Sequence, residues 1–179
     1  MKHLLKYTLA VGFGLLALTA CLKKKPFSPI PQIDFKSFVK YSSDSADFTC
    51  TFQDGDGDIG LQQKDTSGSY CKTCPYYYNM VLTYYYKKTD GIFSKYTYIG
   101  AASTSTMTVI DTLGFKYRIP DITPVGQNKA INGEIRVTIK PAPYYVDTHI
   151  MKVFRYEAYI YDRALNKSNV IVSPDIPIP

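Results

Sequence analysis

The sequence predicts an all-β domain built as a two-sheet sandwich. Hydrophobic and polar residues alternate in several runs, which is the period of a strand with one buried and one wet face. From Ile33 onward no run carries the 3.6-residue apolar stripe of an amphipathic helix. Clusters of turn-forming residues separate the runs at a spacing typical of short antiparallel strands, and that spacing favours a sandwich.

The first residues predict a lipoprotein signal peptide over residues 1–20. Lys2 and Lys6 precede an apolar run from Leu9 to Leu18, and small residues then lead to Cys21, as at a secretory cleavage site. Leu18-Thr19-Ala20-Cys21 resembles the lipobox of bacterial lipoproteins, which implies that Cys21 carries palmitate-like acyl chains and becomes the first mature residue. We therefore expect attachment to a membrane through a lipid anchor.

A tether, one domain and a short tail are expected after the signal peptide. Residues 21–32 contain three prolines and predict a semi-extended, flexible spacer. The sandwich domain is predicted to cover residues 33–175, and residues 176–179 are expected to form a C-terminal tail.

The charge of the chain argues against a nucleic-acid partner. The formal net charge is +6, and the only basic cluster is Lys23–Lys25, next to the predicted anchor. Nucleic-acid binding requires a concentrated basic face on the domain itself. The lysine cluster is consistent either with contact to anionic headgroups or with a solvated tether.

The first predicted strand leads directly into an acidic loop. Its expected buried row is Phe48, Cys50 and Phe52, and its expected wet row is Thr49, Thr51 and Gln53. The loop that follows, Asp54-Gly55-Asp56-Gly57-Asp58-Ile59-Gly60, places carboxylates at alternate positions, and the glycines between them allow the backbone to fold around a central point.

The next predicted element is a hairpin. Its first strand is expected to place Tyr78, Met80, Leu82, Tyr84 and Tyr86 on one side, and Asn79, Thr83 and Lys87 on the other. Asp90-Gly91 supplies a turn that tolerates positive φ. Ile92 to Ile99 is the expected return strand.

Two further alternating runs and a closing hairpin complete the domain. Ile135, Val137 and Ile139 alternate with Glu134, Arg136, Thr138 and Lys140, while Phe154, Tyr156, Ala158 and Ile160 alternate with Arg155, Glu157 and Tyr159. The turn-forming residues 162–169 then lead to a final strand, Val170–Val172.

Two resemblances indicate which kind of protein has this architecture. The closing turn Asp162-Arg163-Ala164-Leu165-Asn166-Lys167-Ser168-Asn169 resembles the last hairpin of immunoglobulin-like and fibronectin-like bacterial surface domains. Together with the lipobox and the acidic loop, it resembles small uncharacterised lipoproteins of the Bacteroidetes. The resemblance implies an immunoglobulin-like sandwich at the outer membrane and implies no enzymatic activity. In such lipoproteins, acidic residues after the acylated cysteine would indicate export to the cell surface. The charged residues after Cys21 are lysines, which favours the periplasmic face, and the cell surface is the alternative.

The acidic loop is a candidate calcium site. Taking Asp54 as the first ligand of an EF-hand-like loop puts Asp56, Asp58 and Asp65 at the third, fifth and twelfth positions. Ile59 stands where an EF-hand needs glycine, and neither flank predicts a helix, so the loop is not an EF-hand. A calcium loop that uses Asp54, Asp56, Asp58 and Asp65 with backbone carbonyls is one interpretation. Consecutive solvated turns are the other.

The cysteines predict a disulfide more readily than a redox centre. Cys71 and Cys74 have redox-motif spacing, but no βαβ pattern surrounds them and no second pair completes a zinc site. We expect a disulfide either between Cys71 and Cys74 or between one of them and Cys50. Cys50 can otherwise be a small core residue.

Tyrosine is unusually frequent, with 17 in the chain. Tyr77 and Tyr85 are expected on the side of their strand opposite the other tyrosines, where their rings could stack on a sugar or a protein partner. The alternative is that tyrosine simply suits a half-buried strand.

Taken together, the sequence predicts a non-catalytic, lipid-anchored module of the cell envelope that binds a protein or glycan partner. An envelope enzyme, either a hydrolase or a thiol oxidoreductase that uses Cys71 and Cys74, is the alternative class. His149 is the only histidine after the signal peptide, and we expect it in a surface turn.

Overall fold

The fold is that of a computed structural model, which describes residues 27–42, 45–100, 108–112, 114–125, 129–140 and 152–178. Two antiparallel sheets pack together, which confirms the predicted all-β, immunoglobulin-like sandwich. The strands are β1 Gln32–Ser42, β2 Ser45–Asp54, β3 Met80–Lys87, β4 Phe93–Lys95, β5 Thr97–Gly100, β6 Thr108–Thr112, β7 Gly114–Tyr117, β8 Ile131–Ile139, β9 Val153–Ile160, β10 Ile171–Val172 and β11 Ile176–Pro177.

The first sheet has the order β1-β2-β8. The predicted alternation of β8 is confirmed, with Ile135, Val137 and Ile139 buried. In β2 the buried row is also confirmed, but Thr49, predicted to be wet, is only 4% exposed. β2 lies between two partners, so neighbouring side chains cover its outer face as well.

The second sheet has β10, β9, β3 and β4 in order, with β7 also paired to β3 and β11 to β9. β9 buries its whole predicted row, and β3 buries Met80, Leu82 and Tyr84, whereas Tyr86 is half-buried. Two predictions at the start of β3 were wrong, because the strand begins at Met80. Tyr78 precedes the strand and is 38% exposed. Asn79, which was predicted on the opposite side of the strand, also precedes it. It is buried, and its Oδ1 accepts a hydrogen bond from the N–H of Ile119 at 2.6 Å.

Aromatic side chains fill the space between the sheets. The ring of Phe48 in β2 lies 6.2 Å from that of Tyr156 in β9, and Phe38 in β1 lies 5.8 Å from Phe154. Tyr84 of β3 stacks on Phe154 at 5.3 Å. These edge-to-face and stacked pairs add to the stabilisation that apolar burial supplies.

The Asp90-Gly91 turn is confirmed, but the return strand is interrupted. Gly91 has φ +83°, and its N–H donates to the carbonyl of Lys88 at 2.9 Å. β4 ends at Lys95; the ring of Tyr96 packs against Tyr84 and Tyr86, and its N–H still donates to the carbonyl of Tyr84 at 3.2 Å. β5 then pairs with β6 in a separate two-stranded sheet.

The described end residues of the chain contact the sandwich. Ser28 accepts a backbone hydrogen bond from Gly55 at 2.8 Å, so the last tether residues lie against the acidic loop. Ile33, the predicted first domain residue, is 1% exposed. Ile176, assigned to the tail by the sequence, is paired with Phe154 in β11.

Candidate metal centre

The acidic loop begins where β2 ends. Asp54 is the last residue of β2 and is still paired with Ile131 of β8. Beyond it the chain must turn sharply against other backbone segments. Gly57 and Gly60 have φ of +67° and +99°, and a Cβ on either would lie within about 2 Å of a carbonyl oxygen, that of Lys129 or Pro120. Only glycine combines that backbone conformation with such a close approach.

The loop brings three carboxylates together. Asp54, Asp56 and Asp58 each place one oxygen within 4.8 Å of the others. Their exposure is graded, since Asp54 is buried, Asp58 is half-buried and Asp56 is exposed. The group therefore has one protein-facing side and one side open to solvent.

In two of these carboxylates, one oxygen accepts a hydrogen bond and the second oxygen accepts none from the described residues. Asp54 Oδ2 accepts the N–H of Asp58 at 3.0 Å, and Asp58 Oδ2 accepts the N–H of Ala164 at 3.0 Å. Oδ1 of each is buried and has no hydrogen-bond partner among the described residues. An orphaned buried carboxylate oxygen is costly and calls for a cation or a proton.

A fourth acidic residue, Asp162, approaches from the closing turn. It is 1% exposed and forms a bridge with Ile59. Its two oxygens accept the backbone and side-chain N–H groups of Asn166 at 2.7 and 2.9 Å. The sequence placed Asp162 in a turn only, because nothing local indicates which distant loop a turn will contact.

The acidic loop and the closing turn, residues 162–169, thus contact each other. Besides the contact through Ala164, the N–H of Arg163 donates to the carbonyl of Asp58 at 3.2 Å. The guanidinium of Arg163 forms an ion pair with Asp121 at 2.9 Å and donates a hydrogen bond to Thr123. Hydrogen bonds from Thr123 hold the pKa of Asp121 well below its usual range, and Gln62 and Arg163 lower it further.

Burial and mutual repulsion disfavour the ionised form of the cluster. Burial raises the pKa of Asp54 to about 7, and the charge on Asp56 adds to the rise. Burial also raises the pKa of Asp58 to about 6, with a further contribution from the charge on Asp162. The pKa of Asp162 is itself raised by burial. A bound cation would reverse each of these effects.

The donor set fits a hard cation. Calcium takes six to eight oxygen ligands from carboxylates, backbone carbonyls and water. Asp54, Asp56 and Asp58 would supply carboxylate oxygens, and the solvent side next to Asp56 would admit water. All the side-chain donors are oxygens, which suits calcium better than a metal that prefers nitrogen or sulfur.

Asp65, the fourth ligand predicted from sequence, lies outside this group. Its Oδ2 accepts the N–H of Gln62 at 2.8 Å, and its carbonyl accepts a hydrogen bond from Arg118 at 2.7 Å. It therefore closes its own turn. The EF-hand spacing that singled it out assumes a loop conformation that this chain does not adopt.

The cysteines form the local disulfide. Cys71 and Cys74 are bonded to each other in the loop after the short helical turn Gly68–Tyr70. Cys50 is a free thiol buried in the core, where burial raises its pKa to about 12. That thiol is inert to redox chemistry at ordinary pH.

The two tyrosines predicted as a partner face are already engaged with cations. Tyr77 precedes β3 and lies 5.0 Å from the guanidinium of Arg118. Tyr85 lies on β3, 5.9 Å from Arg155 and 5.9 Å from Lys95. Both rings are half-buried, so they form two separate cation–π contacts. Cys21 and His149 lie outside the described residues.

The fold and the site define a class: an immunoglobulin-like sandwich with a candidate metal centre between the end of β2 and the closing turn. Comparisons with protein-family models, with curated proteins and with solved structures found no match to this chain. Within the described ranges, no helix is long and apolar enough to cross a membrane.

Proposed function

We propose that this chain is a non-catalytic binding module of the bacterial cell envelope, anchored at the outer membrane by a lipid on Cys21, and that its acidic loop binds a structural calcium ion. The supporting observation is that Asp54 and Asp58 each bury a carboxylate oxygen without a described hydrogen-bond partner, in a group completed by Asp56. The module's partner is a protein or a glycan.

A structural role for the ion follows from what the carboxylates touch. Asp58 accepts a hydrogen bond from Ala164, and its carbonyl accepts one from Arg163. A cation that fixes Asp58 would therefore also fix the closing turn, at the opposite end of the domain sequence. The ion would stabilise the sandwich without taking part in a reaction.

Calcium should stabilise the protein against heat. Extracellular calcium modules bind with Kd of about 10⁻⁴ to 10⁻³ M, so a tenfold to hundredfold excess of calcium over Kd should add roughly 2 kcal/mol. For a domain of this size, that corresponds to a rise in Tm of roughly 4 to 8 °C. The measurement is thermal unfolding of the full chain in detergent, with calcium and with a chelator.

Matched variants test whether the ion uses these carboxylates. Asp56→Asn and Asp58→Asn should remove most of the calcium-dependent rise in Tm. Asp65→Asn makes the same change in the same loop region, outside the group, and should keep the rise. A calcium effect that survives in the first two variants, or no effect in the parent protein, would rule out the proposed centre.

A further inference from the structure

A polar groove crosses the outer face of the first sheet, beside the acidic loop. It encloses about 340 Å³, at the lower end of the range for small-ligand sites, about 300 to 1,000 Å³. Its floor is formed by β1, β2 and β8, and Phe27 lines one side.

One row of the groove consists entirely of primary amides. The register sets Gln32 opposite Gln53, and Gln53 opposite Asn132. Directly opposed residues of antiparallel strands share a face, so the three amides form a line across the sheet. None of the three side chains has a hydrogen-bond partner among the described residues, and all three line the groove.

The neighbouring row offers two carboxylates and a hydroxyl. Asp34 lies opposite Thr51, which lies opposite Glu134. Glu134 is paired with Lys36, whereas Asp34 has no charged partner in the described part of the chain. This unpaired carboxylate disfavours an anionic ligand.

The acidic loop holds the aromatic side of the groove in place. A Cβ on Gly55 would lie 2.1 Å from the carbonyl oxygen of Phe27, and the N–H of Gly55 donates to Ser28 at 2.8 Å. Phe27 is half-buried. An aromatic ring beside amides and carboxylates can stack on the C–H face of a sugar while the polar groups bind adjacent hydroxyls.

We propose that this groove binds a neutral saccharide, with Gln32, Gln53 and Asn132 hydrogen-bonding its hydroxyls and Phe27 packing on a ring face. A peptide strand added to this sheet would pair with the outer edge of β1 or β8 and would not lie across the face that carries the groove. A protein interface would need a more apolar centre than a lining of amides and carboxylates with only Phe27 and Phe52 provides. The inference narrows the partner of the envelope module proposed above and rests on that proposal.

The test uses the full chain in detergent, saturated with calcium. Cello-, malto-, chito- and manno-oligosaccharides are the neutral probes, and oligogalacturonate is the acidic one. Binding is followed by NMR of the side-chain amide groups, with affinity from the titration. At least one neutral oligosaccharide should bind and shift the amide signals of Gln32, Gln53 and Asn132.

Substitutions separate the groove from other surfaces. Gln53→Ala and Asn132→Ala should each weaken binding by about tenfold, as expected for the loss of a hydrogen bond or two. Gln63→Ala removes an exposed amide in the loop after the acidic cluster and should leave the affinity unchanged. Unchanged Tm in all three variants shows that the fold is intact.

Three results would overturn the inference: no neutral oligosaccharide binds, the Gln53 and Asn132 variants bind as the parent does, or oligogalacturonate binds better than every neutral probe. These results are distinct from failure of the calcium site. If no saccharide binds but calcium still stabilises the protein, only the glycan assignment is ruled out. If a saccharide binds but calcium does not stabilise the protein, only the calcium site is ruled out.

Discussion

At the scale of single residues, burial decides the chemistry of the acidic loop. Asp56 is exposed, and it completes a group whose other two members each bury an oxygen. Sequence spacing predicted the three carboxylates together, because alternate positions in a glycine-rich loop can converge locally. It did not predict which oxygens would be buried or that Asp65 would lie elsewhere, because both depend on segments that contact the loop from other parts of the chain.

Calcium-free protein should lose stability as the pH rises from about 5 to 8. The pKa values of Asp54 and Asp58 in the folded state are about 7 and about 6, above the ordinary value near 4 of the unfolded chain. The folded state therefore binds more protons in this range. The stability that these groups contribute is complete below pH about 4 and is lost through their folded pKa values.

Urea unfolding in a chelator at several pH values measures this loss. Asp54→Asn should flatten the dependence, since it removes the group with the higher pKa, and saturating calcium should flatten it in the parent protein. Asp121, with its lowered pKa, acts only at more acidic pH and does not affect this window. Equal slopes for the parent and Asp54→Asn would contradict the prediction.

At the scale of elements, side chains of the closing turn add hydrogen bonds to its backbone pairing. Ser168 Oγ accepts the N–H of Ile160 at 3.0 Å. Asn169 accepts the N–H of Ile33 at 2.8 Å and donates to its carbonyl at 2.8 Å. Asn169 thereby connects the turn to β1 of the other sheet. The sequence indicated a turn here, but a partner 136 residues away is beyond any local pattern.

Asn169→Ala should destabilise the domain by about 1 to 3 kcal/mol, because it leaves both backbone groups of the buried Ile33 without these partners. The measurement is the urea midpoint of the full chain with calcium present. Asn132→Ala is the matched control, since Asn132 is exposed and has no side-chain hydrogen bond among the described residues. A loss no greater than that of the control would show that the Asn169 link adds nothing.

At the scale of the whole molecule, the acidic loop and the closing turn form one structural unit. Asp58 contacts Ala164 and Arg163, and Ile59 bridges to Asp162. Phe27 and Ser28 contact the same loop. An ion in the loop should therefore order the start and the end of the domain together.

Hydrogen exchange of the full chain tests this coupling. Calcium should slow exchange at the amides of Asp58, Arg163 and Ala164 together. The turn amide of Gly91, which bonds only within its own hairpin, should exchange at the same rate with and without calcium and serves as the internal control. Protection confined to the acidic loop would show that the closing turn is uncoupled from the ion.

The strands β1, β6, β7 and β11 were not predicted from the sequence. The sequence by itself determined the alternation in β2, β3, β8 and β9, the turns at Gly91 and at residues 162–169, and the carboxylates of one loop. These are local features, set by side-chain period and by backbone conformations that few residues adopt. Only the tertiary structure decided that Asp162 joins the acidic loop, that Asn169 ties down Ile33, and that Gln32, Gln53 and Asn132 form one row. Each depends on strand register and on docking between distant segments, which follow from packing the whole core.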